Sequence, residues 1–373
     1  MAQAQKEVKQ NVTLSDILVG DSYLNFINSL KTESTKECYK NALLRFMRFF
    51  DIKDTQTLAT LSPSEFEFYI KKYLEYQKQN NSSYNSMSMI TNTVNHFCTM
   101  NDIVINSRKI AKFKTPTGNG KGKGQEKDEA YSREEIQKLF NVAPLRMKVC
   151  ILVFASTGIR KGALASIQLR HMEKVAYAEN NVYKITVYPG TRDQYIGFTT
   201  PECSKTIDEY FEYRTRLGEV LNPDSYLIRE DFDITDIEQI RLKSRRISDR
   251  TISSGFYALA IKAGTRQRTP DKFTRKRVAL LHGFRKFFTT ELINSKLDPQ
   301  KRELLLGHKI GLTGAYYRPT EQEMYAEFEK AINNLTINEE NRLRMKVDKL
   351  EVEKSDIQAL ALELRKVKEK VGM

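Results

Sequence analysis

Apolar residues recur at three- and four-residue intervals over the first third of the chain, with polar residues between them, as in amphipathic helices. The segment Ser34–Glu37 has the serine and glutamate of a capping box, and Ser62–Glu65 repeats that pattern with proline at the first helical position. Residues 82–100 predict a further helix. We therefore expect a domain of four or five packed helices over residues 14–113, preceded by a flexible, polar N-terminus over residues 1–13.

The helical spacing stops at residues 114–128, which are rich in glycine and lysine and contain hardly an apolar residue. Such a segment is typical of a flexible basic linker, although a surface loop within one domain would have the same composition. Directly after it, Ser132–Glu135 forms a new capping box ahead of an apolar run. The change from a glycine-rich segment to a fresh helix start favours a domain boundary here.

Residues 129–334 predict a second domain that is mostly helical, with one interruption. Asn181–Tyr188 is rich in β-branched and aromatic residues, and a Pro-Gly turn separates it from a second such segment, Gln194–Thr199. This pattern predicts a small antiparallel β-hairpin or sheet. The predicted fold class is therefore mainly α: a helical domain, an α-rich domain with a small antiparallel sheet, and a long C-terminal helix.

The C-terminal segment, residues 335–373, carries a heptad repeat. Aliphatic residues recur every seven positions along one seam: Leu343, Leu350, Ile357, Leu364 and Val371. Half of the companion seam is charged: Val347, Lys354, Ala361 and Lys368. Because charged seam positions weaken a coiled coil, the pattern predicts either a marginal coiled coil between protomers or a long helix that lies on another surface.

The composition adds a strong positive charge, +14 at neutral pH, which predicts a polyanionic partner such as DNA, RNA or an anionic membrane. No apolar run could span a bilayer, and the N-terminus lacks the apolar core of a secretory signal, so we do not expect a membrane partner. The cysteines are far apart and are expected to be reduced. Basic residues are densest over 241–277, where we expect a surface that contacts phosphates.

Five positions in the second predicted domain could bind and attack one phosphate: Arg160, His282, Arg285, His308 and Tyr317. His282 and Arg285 lie three residues apart on a predicted helix and so share a face. Each arginine presents a planar fork of donors that fits two phosphate oxygens, and the imidazoles add further donors. A tyrosine phenol becomes a competent nucleophile where positive charge favours the phenolate. Nothing in these positions suggests a metal or a nucleotide cofactor.

Three segments around these positions carry a resemblance to a known family: STGIRKGALASIQLRHM, LLHGFRKFFTTELI and LLLGHKIGLTGAYYRPT. They resemble the tyrosine recombinases, the phage-type integrases that break and rejoin DNA, and the archaeal integrases most of all. The family pattern of an arginine, His-x-x-Arg, Leu-Gly-His and a tyrosine nine residues later matches the same five positions. The resemblance implies a core-binding domain over 14–113, a catalytic domain over 129–334, and a DNA duplex clamped between them.

The chain departs from the family pattern at two places. Family members commonly have a carboxylate three residues after the first arginine, where this chain has Ala163. The family's general acid is a hairpin lysine, whose usual place falls near Pro189. Lys184 is the expected substitute and Arg192 the alternative, although a strand lysine without a catalytic role would fit Lys184 equally well.

The resemblance implies a site-specific recombinase that acts as a homotetramer on double-stranded DNA through 3′-phosphotyrosyl intermediates, without metal or nucleotide. The expected role is the integration or excision of a mobile element. The expected location is the cytoplasm, in association with the nucleoid, and the protein is expected to be prokaryotic or viral. A type IB topoisomerase that relaxes supercoils by the same chemistry and an inactive relative that only binds DNA are the alternatives. The residues expected to bind DNA are Lys121, Lys123, Arg192, Arg245, Arg246 and Lys286.

Overall fold

In a computed structural model, the chain divides into two compact units, Met1–Gln125 and Glu126–Met373. The structure describes residues 17–114, 129–177, 180–233, 235–242, 245–267, 277–311 and 316–371. Two predicted segments therefore lie outside the described residues. They are the N-terminus, 1–13, and the linker, 114–128, apart from its first residue.

The first unit is helical, as the apolar spacing predicts. Its described residues form six helices: α1 (Gly20–Asn28), α2 (Glu33–Phe49), α3 (Thr55–Ala59), α4 (Pro63–Gln79), α5 (Tyr84–Met100) and α6 (Ser107–Ala111). The expected four or five helices are too few because α3 and α6, at five residues each, are too short to show a periodic pattern. Four of the helices contribute buried phenylalanines to the core: Phe26, Phe46, Phe66 and Phe97.

Side-chain caps set where these helices begin. The Ser62 hydroxyl accepts the Glu65 amide at 3.3 Å while the Glu65 carboxylate accepts the Ser62 amide at 2.7 Å, which confirms that capping box. The box expected at Ser34–Glu37 is wrong. The N-cap of α2 is Thr32, whose hydroxyl accepts the Thr35 amide at 3.2 Å, so a hydroxyl two residues upstream already starts the helix.

The second unit contains eleven α-helices among its described residues, and one of them, α8, lies in its core. Its helices are α7 (Arg133–Val142), α8 (Leu145–Thr157), α9 (Lys161–Ser166), α10 (Pro201–Arg216), α11 (Ile237–Leu242), α12 (Asp249–Lys262), α13 (His282–Asn294), α14 (Pro299–Leu305), α15 (Glu321–Glu329), α16 (Ile332–Leu335) and α17 (Glu339–Val371). The capping box at Ser132 is confirmed at the start of α7. Helix α8 is buried on nearly every side and packs against α10 and α13, as expected for a helix that is apolar all round.

A three-stranded antiparallel sheet interrupts the helices of the second unit. Its strands, in spatial order, are β1 (Met172–Tyr177), β2 (Asn180–Val187) and β3 (Tyr195–Phe198). Strands β2 and β3 confirm the predicted hairpin. The sequence did not reveal β1, because it is an edge strand without a fully buried side chain among its described residues and so lacks an apolar alternation. On β2, Lys184 lies opposite Glu173 of β1 and Phe198 of β3.

Helix α17 confirms the predicted long C-terminal helix. Near its start, Met345 packs against the core of the second unit. Six described residues of the heptad seams are exposed: Leu343, Val347, Leu350, Lys354, Ile357 and Ala361. The side chains of the last seam positions, Leu364 and Val371, lie outside the described part of the chain. Within that part, no helix is long and apolar enough to cross a membrane.

A buried ion-pair cluster lies at the C-terminal end of α10. The Glu219 carboxylate accepts from Arg214 Nη2 at 2.6 Å, from Arg214 Nε at 2.9 Å and from Arg229 Nη1 at 2.6 Å. All three side chains are at most 3% exposed. Burial raises the pKa of the Glu219 carboxyl, but the hydrogen bonds and charges of the two arginines outweigh that effect and hold the pKa below its ordinary value.

Glu219→Gln should lower the free energy of unfolding by about 3–5 kcal/mol, because it leaves two buried arginines without a counter-charge. Urea unfolding followed by circular dichroism measures this loss. The folded pKa of Glu219 lies below the unfolded one. The stability that it contributes is therefore present above the unfolded pKa and is lost as the pH falls through the folded pKa. The difference between variant and wild type should shrink in acid.

Glu212→Gln is the matched control for this prediction. Glu212 pairs with Arg216 at 2.9 Å, but both side chains are exposed. The free energy of unfolding should therefore change by less than about 0.5 kcal/mol. A Glu219→Gln protein as stable as the control would contradict the role given to the cluster.

Candidate active site

Arg285 lies at the centre of the predicted site and is only 7% exposed. From α13, its Nη1 donates to the Gly158 carbonyl at 2.8 Å and its Nη2 donates to the Leu306 carbonyl at 2.5 Å. The same Nη2 lies 2.9 Å from Nε2 of His308. The structure thus brings two of the five predicted positions into direct contact, and it fixes the guanidinium with backbone carbonyls from two other elements.

Two glycines shape the carbonyls that hold this guanidinium. Gly158 ends α8 in the left-handed region at φ +58°, and a Cβ there would overlap the Phe288 ring. Gly307 follows α14 at φ +64°, and a Cβ there would overlap the Tyr195 ring. Both positions therefore require glycine for conformation and for space. The Thr-Gly and Leu-Gly pairs of the sequence motifs are thus the ends of two helices that point their last carbonyls at one arginine.

Arg160 adds a second positive charge beside Arg285. It is exposed at the N-cap of α9, two residues after Gly158. Burial lowers the pKa of the Arg285 guanidinium, and the charge of Arg160 lowers it further. Two cations that repel each other at one site are relieved by a bound anion, so this pair favours an anionic ligand such as a phosphate.

Tyr195 lies near the two arginines, and their charges act on its phenol. Burial raises the pKa of its phenol, while the charges of Arg285 and Arg160 act in the opposite direction. Its hydroxyl is buried and has no hydrogen-bond partner of good geometry in the described part of the chain. Sequence reasoning did not single out Tyr195, because nothing in a strand pattern reveals which side chain will face a distant arginine.

Both histidines are exposed, and they lie on different elements. His282 is the first residue of α13 and is exposed, on the same helix face as Arg285. His308 follows Gly307, and its Nδ1 lies 2.6 Å from Oε2 of Glu303 on α14. Glu303 is a second residue that sequence reasoning missed, because no motif marks a carboxylate five positions before the histidine.

Tyr317 lies in an extended segment between residues 312–315, which are outside the described part of the chain, and α15. Its side chain is half-buried, whereas that of Tyr316 is 92% exposed. A capping box between Thr320 and Glu323 starts α15 directly afterwards. The chain on the C-terminal side of Tyr317 is therefore anchored by a helix start.

The two residues predicted as general acid have different surroundings. Lys184 Nζ lies 2.6 Å from a Glu173 carboxylate oxygen and 2.8 Å from one of Glu321. Hydrogen bonds to Glu173 and Glu321 raise the pKa of the Lys184 ammonium. Lys184 thereby ties the first residue of α15, four residues after Tyr317, to the sheet. Arg192 is exposed in the β2–β3 turn.

The residues predicted to bind DNA divide into three groups. Arg245 and Arg246 are exposed, and Lys286 is half-buried on α13. Lys121 and Lys123 lie outside the described residues. Within the basic run 241–277, two arginines are bonded to other parts of the protein. Arg266 donates to the Val278 carbonyl at 2.8 Å, and Arg277 is ion-paired with Glu129 and Glu135.

The chain is similar to a known protein family and to solved structures. The model of the phage integrase family matches residues 130–323. Among solved structures, the fold is similar to the Tn1549 transposon integrase in complex with a circular intermediate DNA, at 16% identity over 83% of this chain and 98% of that chain, with a TM-score of 0.52. It is also similar to XerH site-specific recombinase bound to a palindromic difH substrate, at 13% identity over 84% and 89%, with a TM-score of 0.50. Among curated proteins, no sequence relative was found.

The family match spans more than half of the chain and includes all five predicted positions, from Arg160 to Tyr317. The mainly helical fold with one small antiparallel sheet is shared with the solved recombinases. The chain therefore belongs to the phage integrase family of tyrosine recombinases, and it is a DNA breaking-rejoining enzyme.

Proposed function

We propose that this protein is a site-specific recombinase that cuts and rejoins double-stranded DNA through a 3′-phosphotyrosyl intermediate on Tyr317. The observation that carries the proposal is the buried Arg285 guanidinium, which two backbone carbonyls hold beside Arg160 and His308. Donors fixed in place before a reaction stabilise the charge that develops on phosphorus. Integration or excision of a mobile element is the proposed role, and the similarity in fold to a transposon integrase supports it.

In the proposed reaction, the Tyr317 oxygen bonds to phosphorus as the bond from phosphorus to the 5′ oxygen breaks. The phenolic proton passes to the solvent, and the leaving 5′ oxygen takes up a proton from the general acid to become a hydroxyl. Arg160 and Arg285 stabilise the charge on the non-bridging oxygens. A 5′ hydroxyl from a second strand can reverse the step, because the tyrosyl phosphodiester conserves the energy of the broken phosphodiester bond.

The donor of the proton to the 5′ oxygen stays a prediction with two candidates. Lys184 is an ammonium held between two carboxylates, Glu173 and Glu321, so it would have to leave at least one of them to reach DNA. Arg192 lies exposed in the β2–β3 turn, beside Asp193, which pairs with Lys309 at 3.3 Å. The exposure of Arg192 favours contact with DNA, whereas the guanidinium is the weaker acid of the two.

Backbone contacts with DNA are proposed for the exposed basic residues outside the reaction centre. Arg245 and Arg246 are exposed at the N-terminal end of α12, and Lys286 follows Arg285 on α13. Lys121 and Lys123, in the glycine-rich segment, are proposed to contact DNA as it is clamped by the two domains. Such contacts supply affinity that does not depend on sequence and falls with salt.

We also propose that the active assembly is a homotetramer and that α17 contributes to it. Exposed aliphatic residues recur along this helix at Leu343, Leu350 and Ile357, and Met345 anchors its start to the catalytic unit. In a parallel pairing of two copies, Glu339 would face Arg344 and Lys346 would face Glu351, as in a coiled coil with attractive flanking charges.

Tyr317→Phe should abolish the covalent protein–DNA adduct, because phenylalanine has no oxygen to attack phosphorus. The probe is a pool of nicked suicide duplexes of randomised sequence, in which the released strand cannot return. A denaturing gel detects the adduct, and sequencing of the trapped DNA identifies the site.

Tyr316→Phe is the matched control, since it removes the neighbouring hydroxyl and leaves Tyr317 intact. It should form the adduct at nearly the wild-type rate. An adduct that persists in Tyr317→Phe and disappears in Tyr316→Phe would reverse the assignment. Persistence in both variants would point to Tyr325, and a wild-type protein that forms none would contradict the proposed function.

The double variant Leu350→Lys and Ile357→Lys should reduce assembly of two-site complexes, because it places charge in the heptad seam. Sedimentation of the protein with duplexes that carry the selected site measures assembly. Adduct formation on a single half-site should stay within a few-fold of wild type, since α17 lies beyond the reaction centre.

Val352→Lys provides the comparison for this experiment. Val352 is also exposed on α17 but lies off both heptad seams, so its substitution should leave assembly intact. Equal assembly in all three proteins would show that α17 has no part in the oligomer. Loss of adduct formation in the double variant would show that the helix supports the active site instead.

A further inference from the structure

His308 lies between a carboxylate and a guanidinium. Its Nδ1 lies 2.6 Å from Oε2 of Glu303, and its Nε2 lies 2.9 Å from Nη2 of Arg285. The other oxygen of Glu303 accepts from Arg302 Nε at 3.3 Å. The hydrogen bond with His308 holds the pKa of the Glu303 carboxyl below its usual range, against the opposing effect of burial. Glu303 is therefore an ionised carboxylate that can only accept hydrogen bonds.

These two partners fix where the ring carries its hydrogen. A guanidinium has only donors, so Nε2 must accept from Arg285 through its lone pair. A carboxylate has only acceptors, so Nδ1 must carry the hydrogen that is donated to Glu303. With both contacts made, the hydrogen of the ring lies on Nδ1. In this form Nε2 cannot donate to a phosphate oxygen, which is itself only an acceptor.

The other charges around the ring are mostly positive. Arg302 lies on the same helix as Glu303, and Arg160 acts on Arg285 from the start of α9. Lys309, the next residue in the chain, is paired at 3.3 Å with Asp193 of the β2–β3 turn. Glu303 is therefore the carboxylate that touches the ring, while Asp193 is a neighbouring carboxylate that is bonded elsewhere.

We propose that Glu303 is a positioning residue that lets His308 take up one proton from the solvent when a DNA phosphate enters the site. Nε2 then carries a hydrogen and donates to a phosphate oxygen, while Nδ1 keeps its hydrogen bond to Glu303. The proposal rests on the recombinase function, because that function places a phosphodiester beside His308.

This change of hydrogen-bond partners follows from the contacts of the site without DNA. Once Nε2 carries a hydrogen, it and Arg285 Nη2 are both donors, so their present contact must open. Both groups then turn to the acceptor that has arrived, the phosphate. The doubly protonated ring adds a positive charge near Arg160, Arg285 and Arg302, and the Glu303 carboxylate on the opposite side of the ring offsets it.

Calorimetric titration with duplex DNA tests this proposal. The full chain with Tyr317→Phe, which stops at binding, is titrated with a duplex that was selected from the randomised pool by binding to this variant, in buffers of different ionisation enthalpy. The dependence of the heat on the buffer gives the number of protons taken up. We expect about one proton per bound site with Glu303 present and less than about half of that in Glu303→Gln. His308→Ala should abolish this uptake.

Asp193→Asn is the matched control, since it removes the carboxylate that is paired with Lys309, the residue after His308. It should take up as many protons as the protein with both carboxylates. Thermal unfolding of each variant shows whether it is folded. Uptake in Glu303→Gln equal to that of the parent, or an equal loss in Asp193→Asn, would overturn the proposal.

The outcome is separable from that of the proposed function, because calorimetry needs binding but no covalent step. Uptake that depends on Glu303, in a protein whose wild type never forms an adduct, would contradict the recombinase function alone. Adducts on Tyr317 together with uptake that is independent of Glu303 would contradict the role of Glu303 alone.

Discussion

The buried guanidinium of Arg285 is the interaction on which the site depends. A charge removed from water is stable only if its donors are satisfied, and here the carbonyls of Gly158 and Leu306 satisfy them. Those carbonyls belong to the ends of α8 and α14, while the arginine belongs to α13. One side chain therefore links the ends of three helices. The glycine at the end of α8 and the one after α14 allow the backbone conformation that this contact requires.

A cation held in this way would bind the phosphate proposed for this site without a movement of the backbone. Arg160 adds an exposed charge that repels the buried one, so the empty site is electrostatically unfavourable and an anion relieves it. The ion pair from Lys184 to Glu321 fixes the chain four residues beyond Tyr317, the proposed nucleophile, to the sheet. The fold thus fixes both the proposed phosphate site and one side of the tyrosine segment.

Local chemistry made much of this predictable from the sequence. The Ser62 and Ser132 caps, the β2–β3 hairpin and the long C-terminal helix each depend on residues a few positions apart. The rest depends on contacts between distant segments. No spacing rule shows that Lys184 will meet Glu321, or that Glu303 will hold His308 after a glycine turn. The short helices and the exposed edge strand could not be predicted for another reason, since their sequences have no apolar periodicity.

The most direct test of this account is the effect of Arg160→Ala on cleavage compared with binding. Arg160 is exposed, so its loss should leave the fold intact. The single-turnover rate of adduct formation on the selected site should fall by about a hundredfold or more, because a donor to the developing charge is gone. The dissociation constant for the same duplex should change by only a few-fold, since many other basic residues contact the backbone. Equal losses in rate and binding would mean that Arg160 is an ordinary DNA contact, and they would contradict the phosphate site proposed for Arg160 and Arg285.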